Sequence, residues 1–132
     1  MLTEKSIIKI KTILGDGGWI DDAQTMLPYL TSWRDGRVGQ SPLVALPNST
    51  AQVSEIVTIC HQHQIPITPQ GGNTGLVGGS VPTQNNEIVI SLSRMNKIRD
   101  IDRVGSVITA EAGVILQTLQ NAAADAGFLF PL

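Results

Sequence analysis

Apolar residues recur along this chain with two different periods, and their alternation divides it into helices and strands. Ile7, Ile10 and Leu14 fall at i, i+3 and i+7, with Thr3 ahead as an N-cap and Gly15 just past the end. That spacing predicts a short amphipathic helix over residues 3–14. Ser49 stands three residues before Gln52, a capping-box spacing, and Val53, Ile56, Val57 and Cys60 follow at i, i+3, i+4 and i+7. A helix of about four turns, ending near Gln64, is predicted there. Leu116, Leu119 and Ala123 supply a third helical stripe, which closes at Gly127.

The other apolar runs are short. Residues 43–46 form a buried-strand candidate stopped by Pro47, residues 65–68 resume an extended run, and residues 87–92 are β-branched enough to be a further strand. Residues 98–101 and 104–110 read as two more short strands, the second alternating Val107 and Thr109 against Ile108 and Ala110. Residues 16–40 sustain neither period and contain the polar turn Arg34-Asp35-Gly36-Arg37. Residues 1–40 are therefore expected to be a helical arm with about one helical turn beyond the first helix. From residue 41 onward the order is strand, helix, strand, glycine loop, strand, which defines an α+β fold.

Chemistry enters at the glycine loop. Residues 69–82 read Pro-Gln-Gly-Gly-Asn-Thr-Gly-Leu-Val-Gly-Gly-Ser-Val-Pro, with five glycines concentrated where a strand should end. Glycine admits positive φ and lets the main chain approach a ligand without a Cβ in the way. Successive amides so arranged make an anion-binding concavity. No ionisable residue occurs from Gln64 to Asn86, so a phosphate bound here would be held by N–H groups and by the hydroxyls of Thr74 and Ser80. A structural turn is the bland alternative, but long loops without secondary structure inside compact domains are more often functional than idle.

Spacing excludes several named motifs. No lysine follows any of these glycines, so there is no Walker loop, and the glycines lead into Pro82 and a strand rather than opening a Rossmann helix. Pro82 also replaces the last glycine that a nucleophile elbow would need after Ser80.

Composition narrows the partners. The chain has 132 residues, 42% hydrophobic and 15% charged, with a net charge of -2. It is long and apolar enough for one compact domain, and its singly scattered Lys and Arg make no stripe for nucleic acid. Cys60 is the only cysteine, so neither a disulfide framework nor a cysteine-rich metal site is expected, and a reducing, cytoplasmic setting fits. No apolar run approaches membrane-spanning length. Cys60, His61 and His63 cannot all face one metal ion from a helix, and Asp21, Asp22, Asp100 and Asp102 read as solvated charge. Tyr29, Trp19 and Trp33 read as packing anchors for the arm, and Arg34 as either a surface ion-pair partner or a residue near a ligand.

The loop from Pro69 to Pro82 resembles the pyrophosphate loop of FAD-linked oxidases of the vanillyl-alcohol oxidase and p-cresol methylhydroxylase type. Within that family it is most similar to the D-2-hydroxyglutarate, D-lactate and glycolate dehydrogenase branch. The likeness continues through Ser41-Pro42-Leu43-Val44-Ala45-Leu46-Pro47, Ser91-Leu92-Ser93-Arg94-Met95-Asn96 and Glu111-Ala112-Gly113-Val114. It implies that residues 41–132 are an FAD-binding domain comprising a first α+β subdomain and the start of a second, with the flavin between them. It further implies that Gln70, Gly71, Gly72, Asn73, Thr74, Gly75 and Leu76 meet the pyrophosphate, with Gly78, Gly79 and Ser80 nearby, and that Pro131 and Leu132 begin another cofactor-contacting segment. Some relatives attach FAD covalently through a histidine in a related Gly-Gly-His loop. Asn73 stands at that place here, which implies noncovalent FAD.

Relatives continue beyond the position of Leu132 into a domain that binds metal and the small 2-hydroxy acid. The chain is therefore expected to be an N-terminal portion with no catalytic residue or metal ligand of its own. The alternatives are a non-catalytic nucleotide-binding module, or an inert remnant that forms a homodimer through Phe128, Leu129 and Phe130.

Overall fold

The computed structural model describes residues 2–132. In chain order the elements are α1 (Glu4–Leu14), β1 (Trp19–Ile20), α2 (Ala23–Leu30), β2 (Val44–Ala45), α3 (Thr50–Gln62), β3 (Ile67–Gln70), β4 (Ile88–Ser91), β5 (Ile98–Asp102), β6 (Val107–Ala110) and α4 (Leu116–Asp125). Strands β1 to β4 form one sheet in the order β1-β2-β4-β3, and β5 and β6 form a separate antiparallel hairpin. β2 and β3 both run parallel to β4, while β1 is antiparallel to β2.

The two-residue period of the strands sorts the core onto the two faces of the larger sheet. Leu43, Ala45, Ile88 and Ile90 pack with Ile10 and Leu14 of α1 and with Ile56 and Cys60 of α3. Val44, Leu46 and Val89 face the other way, onto Met26 and Leu30 of α2. Strand β4 is buried along its whole length, as a parallel strand covered on both faces must be. Its four residues are the middle of the sheet.

Both expected helix starts are built as caps. Thr3 and Ser6 form a reciprocal capping box, and Ser49 Oγ accepts from the Gln52 N–H at 3.3 Å. Gln52 Nε2 then donates to the Ile13 carbonyl at 3.0 Å, fastening α3 to the end of α1. The third predicted helix is α4, and strands occur at all five predicted places: those at 43–46, 87–92 and 104–110 are trimmed, that at 65–68 is shifted to 67–70, and that at 98–101 extends to Asp102. Val104 lies in the turn between β5 and β6, 99% exposed.

The stretch from 16 to 40 holds more structure than its pattern suggested. β1 pairs with β2, and α2 is an eight-residue helix capped by Asp22, whose carboxylate accepts from the Thr25 N–H at 2.8 Å. Pro28 sits inside α2. It leaves the Gln24 carbonyl without its usual helical donor, and the helix ends within a turn. The arm residues thus contribute to both faces of the same core as the sheet.

Parallel neighbours cannot be joined by a tight hairpin, and most are joined by a crossover helix. β2 reaches the sheet position of β3 through α3, as usual. Between β3 and β4, however, residues 71–87 make the crossover without a helix. This is the glycine loop, and its two ends are set by the register Gln70 to Ser91 and Ile67 to Ile88.

Candidate functional site

The loop leaves β3 at Gln70 and is fastened immediately. Gln70 is 3% exposed, and its Nε2 donates to the carbonyls of Tyr29 and Ser80, each at 2.8 Å. Asn73 Nδ2 donates to the carbonyls of Thr31 at 2.9 Å and Pro28 at 3.2 Å, and Asn73 Oδ1 accepts from Ser80 Oγ at 2.8 Å. On the outer side, Arg34 Nη1 donates to the Leu76 carbonyl at 2.6 Å and Arg37 Nη2 to the Gly78 carbonyl at 3.4 Å. Arg34, ambiguous in the sequence, is thus a clamp on the loop.

The return of the loop rests on a carboxylate. Glu87, buried just before β4, accepts from Thr68 Oγ1 at 2.6 Å, Thr83 Oγ1 at 2.8 Å and the Gln84 N–H at 3.0 Å. Burial pushes its carboxyl pKa up, but the hydrogen bonds outweigh burial and leave it below the ordinary value of 4.5. Glu87 therefore ties β3 to the far end of the loop as an anion.

Positive φ is used sparingly. Only Asn73 (φ 55°) and Gly78 (φ 82°) adopt it within the loop, so the five glycines are not there chiefly for left-handed backbone. The missing Cβ matters instead. A Cβ built at Gly71 would meet nothing within 4 Å, and one at Gly72 only Thr74 Cγ2 at 3.8 Å. Both main-chain surfaces open onto a cleft of about 630 Å³ lined by Gly71, Gly72, Thr74, Ser93, Asn96, Ala112, Gly113, Val114, Ile115 and Leu116. The volume is in the range of about 300–1,000 Å³ typical of ligand sites. No wall residue is ionisable.

The opposite wall is built by the turn after β4 and by the approach to α4. Gly113 is pressed onto the chain leaving β4: its N–H donates to the Met95 carbonyl at 2.8 Å, and a Cβ there would lie 1.8 Å from the Leu92 oxygen. α4 begins at the cleft with Ile115 at its N-cap position, where no side chain caps it. Helix starts of this kind leave N–H groups facing solvent or a ligand. Glu111 braces the same turn, accepting from the Lys97 N–H at 3.0 Å and from Arg99 at 3.1 Å.

The sequence candidates therefore divide. Gly71, Gly72 and Thr74 line the cleft. Gln70 and Asn73 turn their side chains into the protein, the Ser80 hydroxyl is taken by Asn73, and Leu76 and Gly78 present carbonyls to arginines. Gly75 lies beside Ser80 Oγ, 3.6 Å from an ideal Cβ, and Gly79 has open space. Pro131 and Leu132 are exposed at the chain end, where the Leu132 carbonyl accepts from Gln120 Nε2, and neither lines the cleft. Ser93, Asn96 and residues 112–116 went unselected as site residues, although the segments holding Ser93, Asn96, Ala112, Gly113 and Val114 carry the family likeness. Among the described residues no His, Cys, Asp and Glu group could hold a metal, and no helix is long and apolar enough to cross a membrane.

A neutral cleft floored by bare glycine backbone is suited to an anionic ligand held by N–H groups. The FAD binding domain family matches residues 41–132, and the chain belongs to that family. It is 41% identical over 132 residues to a rice protein (Oryza sativa subsp. indica) described as "Probable D-2-hydroxyglutarate dehydrogenase, mitochondrial", a match covering 100% of this chain and 23% of that one. It is 45% identical over 109 residues to the D-2-hydroxyglutarate–pyruvate transhydrogenase of Saccharomyces cerevisiae, covering 83% of this chain and 22% of the relative. Among solved structures, p-cresol methylhydroxylase superposes with a TM-score of 0.81 at 23% identity, covering 96% of this chain and 26% of that chain. The chain thus spans about a quarter of the length of the relatives it matches.

Proposed function

We propose that this chain is the FAD-pyrophosphate-binding part of a flavin-dependent 2-hydroxy acid dehydrogenase and that it holds FAD noncovalently. The observation that carries the reading is the bare backbone of Gly71 and Gly72 facing a neutral cleft, in a domain of the FAD-binding family. A pyrophosphate fits such a donor set: N–H groups and the Thr74 hydroxyl donate to its oxygens without a lysine. When bound, FAD supplies a ring system that accepts a hydride. The residues here bind and orient it. Asn73 supports noncovalent attachment in two ways, since a carboxamide is a poor nucleophile and its side chain is engaged with the end of α2.

Flavin fluorescence on titration with FAD tests the reading. Saturable binding is expected, weakened at least about tenfold by Gly72→Val, which fills the opening with two methyl groups. All flavin should be released on acid precipitation. A valine variant that binds as tightly as the wild type would remove the cleft as the pyrophosphate site, and flavin retained by the precipitate would remove the noncovalent assignment.

A further inference from the structure

The α2 helix ends without a glycine C-cap or a basic residue in its last turn. A helix leaves its last four carbonyls without helical donors, and here each finds one elsewhere. Leu27 accepts from Thr31 Oγ1 at 2.8 Å and Leu30 from the Gly39 N–H at 2.8 Å. Pro28 and Tyr29 accept from Asn73 and Gln70, at 3.2 and 2.8 Å. Two side chains of the glycine loop therefore complete the capping of a helix more than forty residues earlier.

We propose that Asn73 and Gln70 are positioning residues, whose carboxamides hold the glycine loop in its binding conformation by capping α2, and not ligands of the phosphate. The inference deepens the FAD reading above and rests on it for the identity of the ligand. Three features favour it. Both amide groups donate to two carbonyls each, so their donors are spent inside the protein. Asn73 is absent from the cleft wall while its neighbours Gly72 and Thr74 form it. Arg34 and Arg37 take loop carbonyls on the outer side. Those two bonds tie the outer side of the loop to the same segment whose carbonyls Asn73 engages from the inner side. The residues from Pro28 to Arg37 are thus the frame of the nest.

Two substitutions separate this role from the alternatives. Asn73→Gly keeps the positive φ but removes the carboxamide, both its donor and its acceptor. Asn73→Asp keeps shape and the acceptor for Ser80, and loses the donors. The first readout needs no cofactor: backbone amide order parameters of residues 71–80 in the chain as it stands. In the wild type they should lie near 0.85, and in both variants below about 0.6, with α1, α3 and the sheet unchanged. The second readout is FAD affinity, expected to fall at least about tenfold in both variants. Loop order that survives both substitutions overturns the proposal, as does an effect confined to Asn73→Asp, which would be charge repulsion. An Asn73→Gly variant binding FAD as tightly as the wild type also overturns it. Loop order lost in both variants of a chain that binds no FAD would leave the lock standing and remove the ligand reading.

Discussion

Replacing Gly113 with alanine sets main chain against main chain. The added Cβ would stand 1.8 Å from the Leu92 oxygen, 2.7 Å from the Leu92 carbon and 2.8 Å from the Met95 oxygen, and no rotamer change moves a backbone atom aside. An ordinary C···O approach is about 3.3 Å, so the two segments must part by on the order of 1.5 Å. That parting breaks the Gly113 to Met95 hydrogen bond of 2.8 Å and strains the Met95 to Leu92 bond of 2.9 Å. Overpacking of this kind costs about 1–3 kcal/mol, and each lost backbone bond adds about 1 kcal/mol, for a total of about 3–5 kcal/mol. Against a stability of about 5–15 kcal/mol for a domain, that is a large fraction. At about 3–5 °C per kcal/mol for a chain of this size, Tm should fall by on the order of 10–20 °C. Circular dichroism melts and urea titrations with an unchanged m-value would measure it. An alanine variant melting within about 2 °C of the wild type would refute the reasoning, because it would mean that the contact between β4 and the start of α4 is not fixed in solution.

Other residues give further expectations. Cys60 is 1% exposed and burial pushes its thiol pKa up to about 11. At pH 8 only on the order of a thousandth of it is thiolate. A disulfide reagent should therefore react with the native protein only as fast as it unfolds, and immediate labelling without denaturant would contradict the packing. Glu87 has its carboxyl lowered from 4.5. A group depressed in the folded state binds its proton more readily when unfolded, so its contribution is complete above pH 4.5 and lost as pH falls through the lowered folded value. In wild-type and Glu87→Gln chains compared by urea midpoints, the stability difference should narrow below pH 4.5, and a difference that widens on acidification would have the wrong sign.

Much of the fold was legible in the sequence because its signals are local. Ser49 and Gln52 mark a helix start within four residues, and Ile56 and Cys60 repeat one turn apart onto a single core. Residues 87–92 announce a buried strand by the uninterrupted β-branched run Ile88-Val89-Ile90. α2 was not legible, since Met26 and Leu30 are two points on a helix too short to establish a period, and Pro28 reads as a breaker. β1, of two residues, has no periodicity at all; only its pairing with β2 defines it. At the site, the glycine pattern marked the loop, but the partners of Gln70 and Asn73 are carbonyls, which every residue carries and no sequence distinguishes. The tight contacts of Gly39 with Pro82 and of Gly113 with Leu92 are invisible for a similar reason: each clash partner lies far along the chain.

The strand order β1-β2-β4-β3 also dictates when the site can come into being. β2 and β3 flank a gap that only β4 fills, so the first 87 residues contain neither of the parallel pairings that hold the sheet together. As the chain emerges from its N-terminus, α1 and α3 can take shape early from local contacts, but no sheet can form between β2 and β3 without the later strand. Insertion of residues 88–91 joins both pairings and closes the glycine loop in one event. Such non-local closure sets a slow step in folding and makes it strongly cooperative. The glycine-loop side of the cleft is thus closed only when β4 is in place, and a chain that stalls before it has helices but no cleft.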